Sequence, residues 1–159
     1  MLDVNVKVAL FDLQSGSEIV AVSRPNIVME EPPWPHFDVE GHWEFFLASL
    51  ADFHSKHRVD AISVTTHGAS IALLNADGIL AAPILDYEHD GLDEVAASYD
   101  KIRPLFDETG SPRLAMGLNV GAQLFWQFHV DRKLKDRTHT ILTYPQYWTH
   151  RLTGVATTD

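Results

Sequence analysis

The apolar positions of this chain fall into two patterns, short continuous runs and recurrences every three or four residues, and each predicts a different element. Val6-Lys7-Val8-Ala9-Leu10-Phe11-Asp12 is a short run rich in apolar and β-branched residues, which reads as a buried strand. Gln14-Ser15-Gly16 is turn chemistry, and Glu18 to Ser23 reads as a returning strand. The chain therefore opens with a predicted β-hairpin, and Asn26 to Met29 is a candidate third strand. Glu31-Pro32-Pro33-Trp34-Pro35 excludes regular structure, because its prolines remove backbone donors and fix φ. Asp38 is placed to cap a helix from about Val39 to His57, with Trp43, Phe46, Leu47, Leu50 and Phe53 on one apolar face.

The remaining elements follow the same logic. Val59 to Thr66 reads as a central strand after a crossover helix. Ser70 to Leu74 is a strand, Asn75-Ala76-Asp77-Gly78 a hairpin turn, and Ile79 to Leu85 the return. Asp90 to Tyr99 and Lys101 to Phe106 look helical, with Arg103-Pro104 breaking the second. Gly121 to Leu134 is the strongest later helix, its apolar stripe being Leu124, Phe125, Phe128 and Val130. Thr138 to Leu142 is a short strand. A last helix begins at Thr143 or Tyr144, with Pro145 in its first turn and Gly154 past its end. The order β-β-(β)-α-β-β-β-α-α-β-α predicts an α/β fold with a mixed sheet flanked by helices, and one domain over 1–159.

Composition narrows the function classes. The net charge of −10 repels phosphate backbones and anionic membranes, so neither nucleic acid nor a membrane surface is an expected partner. Cysteine is absent, so no disulfide framework or thiolate metal site exists. No basic region precedes a signal-like apolar run, and no run approaches the roughly 20 apolar residues of a membrane helix. The expected location is the cytoplasm.

Two polar segments are candidates for chemistry. Thr65-Thr66-His67-Gly68-Ala69 ends the predicted strand Val59 to Thr66, and ligands of open α/β sheets sit outside the carboxyl ends of strands. His67 can hydrogen-bond a hydroxyl-rich ligand, and Gly68 permits close backbone approach. The same residues also suit a strand-end turn with a structurally bonded His. Asp86-Tyr87-Glu88-His89-Asp90 follows the next strand and gathers carboxylates, a phenol and an imidazole, a mixture that suits vicinal hydroxyls and the C–H face of a sugar. Its alternative is an acidic, solvated helix N-terminus with Asp90 as the cap. His67, Glu88 and His89 contain metal-ligand types but lack a His-x-x-x-His or His-Glu-x-x-His spacing. No Gly-x-Ser-x-Gly elbow, P-loop or Gly-x-Gly-x-x-Gly run is present. Trp34 and Trp126 are candidates to stack on a ligand, Trp43 is assigned to the core, and Gln123 is the one polar residue near its helix start that could face a cleft.

Taken in order, these segments resemble the N-terminal half of the FGGY family of carbohydrate kinases over nearly the whole chain. Val6 to Asp12 looks like the family's first strand, and Thr65-Thr66-His67-Gly68-Ala69 with Leu73 to Gly78 like its strand and hairpin. Thr109-Gly110, Leu124-Phe125-Trp126 and Tyr147 to Asp159 resemble its later signposts. The His-Gly-Ala and Tyr-Glu-His segments look closer to rhamnulose- or fuculose-type kinases than to glycerol kinases, which carry a Gln-Arg-Glu pattern there. The resemblance implies a ribonuclease-H-like, actin/hexokinase-type ATPase core and a ketose or deoxyketose bound through His67, Gly68, Ala69, Tyr87, Glu88 and His89. It also implies ATP and Mg²⁺, with Asp3 as a metal-side carboxylate acting through water. Two departures stand against it. Leu2-Asp3-Val4-Asn5 replaces the family's Asp-x-Gly-x-Thr phosphate loop, and the family's catalytic base and adenosine site lie beyond Asp159. The chain is therefore read as a partial sugar-binding lobe, truncated at both ends, without transfer activity of its own and prone to self-association. The alternatives are an inactive carbohydrate-binding or remnant domain and an unrelated α/β protein whose acidic surface meets other proteins.

Overall fold

The computed structural model describes residues 5–157. These form two compact units, the first from Asn5–Met29 and Phe37–Ser63, the second from Glu30–His36 and Val64–Thr157. Mixed α/β structure is observed, as the periodicities predict, but the strands of the described residues form three two-stranded sheets rather than the one mixed sheet expected.

In the first unit, β1 (Asn5–Asp12) and β2 (Ser17–Pro25) form the predicted antiparallel hairpin, pairing Val8 with Val22 and Asp12 with Ser17. Asp12 builds the turn: its carboxylate accepts from the Gln14 amide at 2.9 Å and the Ser15 hydroxyl at 2.8 Å, and Gly16 takes φ +69°. Both strands are half-exposed rather than buried, with Phe11 and Ile19 facing out. The candidate third strand contracts to β3 (Val28–Met29), and β4 is the two-residue His36–Phe37 of the loop beyond.

The helix α1 (Val39–Lys56) packs on β1. Asp38 caps it by accepting from the Gly41 amide at 2.9 Å and pairs with Arg24 at 2.8 Å. The buried positions of α1 are Val39, His42, Ser49 and Phe53, whereas Leu47 of the predicted apolar face is exposed. Trp43 is half-buried and stacks on Phe46 at 5.6 Å rather than lying in the core. The predicted strand Val59 to Thr66 is not formed. These residues have strand composition but join no ladder among the described residues, and an extended segment without a hydrogen-bonded neighbour is coil.

The second unit is built on β5 (Ile71–Leu74), every residue of which is buried. Its antiparallel partner is β6 (Thr140–Thr143), with Ile71 opposite Thr143 and Leu74 opposite Thr140. The Asn75 turn forms as predicted: its side chain accepts from the Asp77 and Ile79 amides, and Gly78 takes φ +76°. The return is shorter than Ile79 to Leu85. Leu80 bridges Leu74 and Ala81 donates to Leu73, and then Pro83, which has no N–H, ends the pairing before Leu85 bridges His36.

A 3-10 helix (Asp90–Val95) runs into α2 (Ala96–Tyr99). His89, not Asp90, stands at its cap position, and no side chain closes it. Lys101 to Leu105 is not helical. Pro104 lacks a donor and disfavours helical backbone at Arg103, so the helix α3 (Phe106–Thr109) starts only afterwards. Asn119 caps α4 (Val120–Val130), which stops short of the predicted Leu134; α5 (Leu134–Arg137) follows separately. The face that α4 buries is Ala122, Gln123, Trp126 and Gln127. The predicted stripe is displaced accordingly: Leu124 and Phe128 only border the core, and Val130 is exposed. The last helix, α6 (Tyr144–Thr153), has Pro145 in its first turn, Gln146 accepting from the Thr143 amide, and Gly154 closing it at φ +73°. Trp34, Ile71, Leu73, Leu85, Leu92, Ala122, Trp126 and Leu134 make the core.

Candidate functional site

Two loops and one helix start converge in the second unit. The first loop carries His67-Gly68-Ala69 into β5, and the second carries Asp86 to His89 between the Leu85 bridge and the 3-10 helix. The rings of His67 and Tyr87 meet edge-to-face at 4.7 Å. The Tyr144 ring, at the start of α6, lies 5.2 Å from that of His67. Pairing of β5 with β6 explains that third member: Tyr144 follows β6 directly, and its amide donates to Ser70 O at 3.1 Å. The sequence reading missed Tyr144. Its signal was present, since a strand that pairs with β5 delivers the next residue to the turn that precedes β5.

Each segment is held by its backbone. Asp86 folds its loop by accepting from the Glu88 amide at 3.1 Å through its carboxylate and from the His89 amide at 3.2 Å through its carbonyl. Gly117 lies against Tyr87 and donates to its carbonyl at 2.8 Å. A Cβ at Gly117 would sit 2.8 Å from Tyr87 Cα and 2.9 Å from its oxygen, closer than packed atoms allow. Gly68, by contrast, faces open space with an ordinary φ, so no conformational demand for glycine exists there.

The His89 ring packs on Trp126 at 4.9 Å, and Trp126 belongs to the core. Glu88 is half-buried next to Tyr87. Trp34 and Trp126, read as candidate ligand platforms, are 3% and 6% exposed and pack on each other at 5.7 Å, with Trp34 Nε1 donating to Pro83 O. Their large apolar area is spent on the core, where a ligand cannot reach it. Asp3, the candidate metal-side carboxylate, lies outside the described residues. Among the described residues no group of three or more His, Asp or Glu is placed to hold a metal ion.

Burial tunes the titrating groups. It pushes His67 below the ordinary imidazole value, so the ring is neutral at pH 7 and presents one donor and one acceptor nitrogen. It pushes Asp86 above the usual carboxylate range, with Glu88 and Glu30 adding to the rise. Burial likewise raises the Tyr87 and Tyr144 phenols, which stay protonated donors. A neutral imidazole beside two phenols suits uncharged hydroxyl groups, not a fixed charge. A cavity of about 410 Å³ opens elsewhere in the unit, lined by Tyr99, Arg103, Asn119 and Gly121 among others, and includes none of these residues. No described helix is long and apolar enough to cross a membrane.

No protein-family model matches the chain. Curated relatives do. The L-fuculokinase of Escherichia coli K12 is 29% identical over 92% of this chain, and that of Salmonella typhi is 28% identical over 98%. The chain spans about a third of their length, 32% and 34% respectively. Among solved structures, a carbohydrate kinase from Novosphingobium aromaticivorans is 37% identical, with a TM-score of 0.87 over 97% of this chain and 33% of that one. A xylulose kinase from Rhodospirillum rubrum, at 22% identity, shares the fold with a TM-score of 0.77 over 99% of this chain and 34% of its own. The chain thus spans about a third of each of these sugar kinases.

Proposed function

We propose that this chain is the sugar-binding part of an ATP-dependent carbohydrate kinase of FGGY type, with a ribonuclease-H-like core and a ketose or deoxyketose as substrate. The observation that carries the reading is the meeting of His67 and Tyr87 at 4.7 Å, from two polar segments twenty residues apart, in a chain whose relatives are sugar kinases along nearly all its length. The neutral His67 ring exchanges hydrogen bonds with a sugar hydroxyl, Tyr87 covers a C–H face and adds its phenol, and the Gly68-Ala69 backbone allows close approach. Glu88 extends the polar rim for a second hydroxyl. His89 is assigned the supporting role of holding that loop on the core through Trp126.

ATP with Mg²⁺ would supply the phosphoryl group that the sugar hydroxyl accepts. Among the described residues no group of three or more His, Asp or Glu is placed to hold the metal, and Asp3, the carboxylate assigned to its side, lies outside them. No step of transfer is therefore assigned to residues of this chain. The test is titration calorimetry of ketoses and deoxyketoses with and without ATP, beside a coupled ADP-release assay. The expected result is binding of at least one such sugar, lost in both His67→Ala and Tyr87→Phe, with no sugar-dependent ADP release. Failure of every sugar to bind, or binding that survives both substitutions, overturns the reading.

A further inference from the structure

Gln123 is fully buried in the middle of the core-facing side of α4, an uncommon place for an amide. Its Nε2 donates to two backbone carbonyls at once, those of Ala69 and Gly117. The two acceptors settle the amide orientation, since an oxygen in that position would face two carbonyl oxygens. They also belong to different segments. Ala69 follows His67-Gly68, and Gly117 is the residue whose N–H holds the Tyr87 carbonyl at 2.8 Å. One side chain thus ties the loop that carries His67 to the loop that seats Tyr87.

We propose that Gln123 is a positioning residue for the sugar site, a clamp that sets the spacing of His67 and Tyr87 without touching the sugar. The inference rests on the sugar-binding reading for its function, and its geometry stands apart from it. Other polar side chains on α4 do not do this. Gln127, one turn further on and equally buried, has no bond to either loop. An amide is needed because two carbonyls must be satisfied from one point. Met or Leu fills the volume but leaves both carbonyls unpaired, and Asn is one methylene short of bridging them. With the clamp gone, the loop at Ala69 and the loop at Gly117 move independently, and water reaches the His67 ring.

The test is NMR on the whole chain. The imidazole of His67 is followed through a pH titration in wild type, Gln123→Met and Gln127→Met. Tyr87 and Tyr144 both face His67, and their phenols remain neutral throughout the range, so neither adds a charge as the ring titrates. In wild type it titrates below the ordinary imidazole value because it is buried. Gln123→Met is expected to raise its midpoint by about half a unit or more, towards the free value, while Gln127→Met lowers the melting temperature and leaves the midpoint in place. Where a sugar binds wild type, Gln123→Met is expected to weaken it about tenfold, the scale of one well-formed hydrogen bond. A midpoint unchanged in Gln123→Met overturns the clamp whatever the sugars do. A midpoint that moves in a protein to which no sugar binds upholds the clamp and overturns the sugar reading instead. Should Gln123→Met not fold, the wild-type Gln123 side-chain amide decides: both Nε2 protons are expected to exchange slowly with solvent, and fast exchange refutes the clamp.

Discussion

Gly117→Ala tests the construction of the site at its tightest point. The added methyl would stand 2.8 Å from Tyr87 Cα, 2.9 Å from its oxygen and 3.2 Å from its carbonyl carbon. All three are backbone atoms, so no side-chain rotation relieves the clash. Gly117 does not occupy the left-handed region, so alanine brings no φ penalty and the effect is purely steric. Forcing an extra methyl into a packed site costs about 1–3 kcal/mol. Loss of the Gly117–Tyr87 hydrogen bond adds about 1 kcal/mol, and the reduced freedom of the unfolded chain returns about 0.4–1 kcal/mol. The net destabilisation is about 1–4 kcal/mol. For a chain of this size each kcal/mol moves the melting point by about 2–4 °C, so a fall of about 2–16 °C is expected. Gly68→Ala is the matched control, since a Cβ there meets nothing within 4 Å. Thermal unfolding of wild type and both variants, followed by circular dichroism and tryptophan fluorescence, makes the comparison. A Gly117→Ala melting point within about 1 °C of Gly68→Ala would refute the steric argument.

Three further outcomes are expected. Asp38→Ala removes the α1 cap and the Arg24 pair together and should cost about 1–2 kcal/mol in chemical denaturation, while Asp38→Asn keeps the cap and should lose less than half of that; equal losses would contradict the capping role. His42 is 2% exposed, and burial, then the neighbouring Arg24, hold it below the ordinary imidazole value against the opposing pull of Asp38. Its folded form therefore disfavours the proton: the stability it contributes is full above pH 6.5, the unfolded value, and is lost as the pH falls below 6.5 towards the lowered folded value, so His42→Leu should flatten the acid side of a stability–pH curve, and an unchanged slope would count against this. Leu73→Ala in the fully buried β5 should cost about 2–5 kcal/mol in equilibrium unfolding, and a loss below about 1 kcal/mol would mean that β5 is not the centre of its core.

Much of this protein is decided by residues close together in the chain. The Asp12 turn, the Asp38 cap of α1, the Asn75 turn and the Pro145–Gly154 limits of α6 all stand where the sequence alone puts them. Each is a contact within five residues or a backbone preference of one, so nothing distant is needed to form it. The two polar segments around His67 and Tyr87 were legible for the same reason, as clusters of side chains with one kind of chemistry. Tertiary structure decided the rest. Whether Val59 to Thr66 becomes a strand depends on a neighbour to pair with, and no local pattern supplies one. Which face of α4 turns inward depended on Trp34, Leu85 and two carbonyls waiting for an amide, so Gln123 and Trp126 were buried and Val130 was not. The same long-range pairing of β5 with β6 brought Tyr144 to His67 across more than seventy residues of chain. Local energies are set by sequence neighbours, but burial and hydrogen-bond satisfaction are properties of the packed whole.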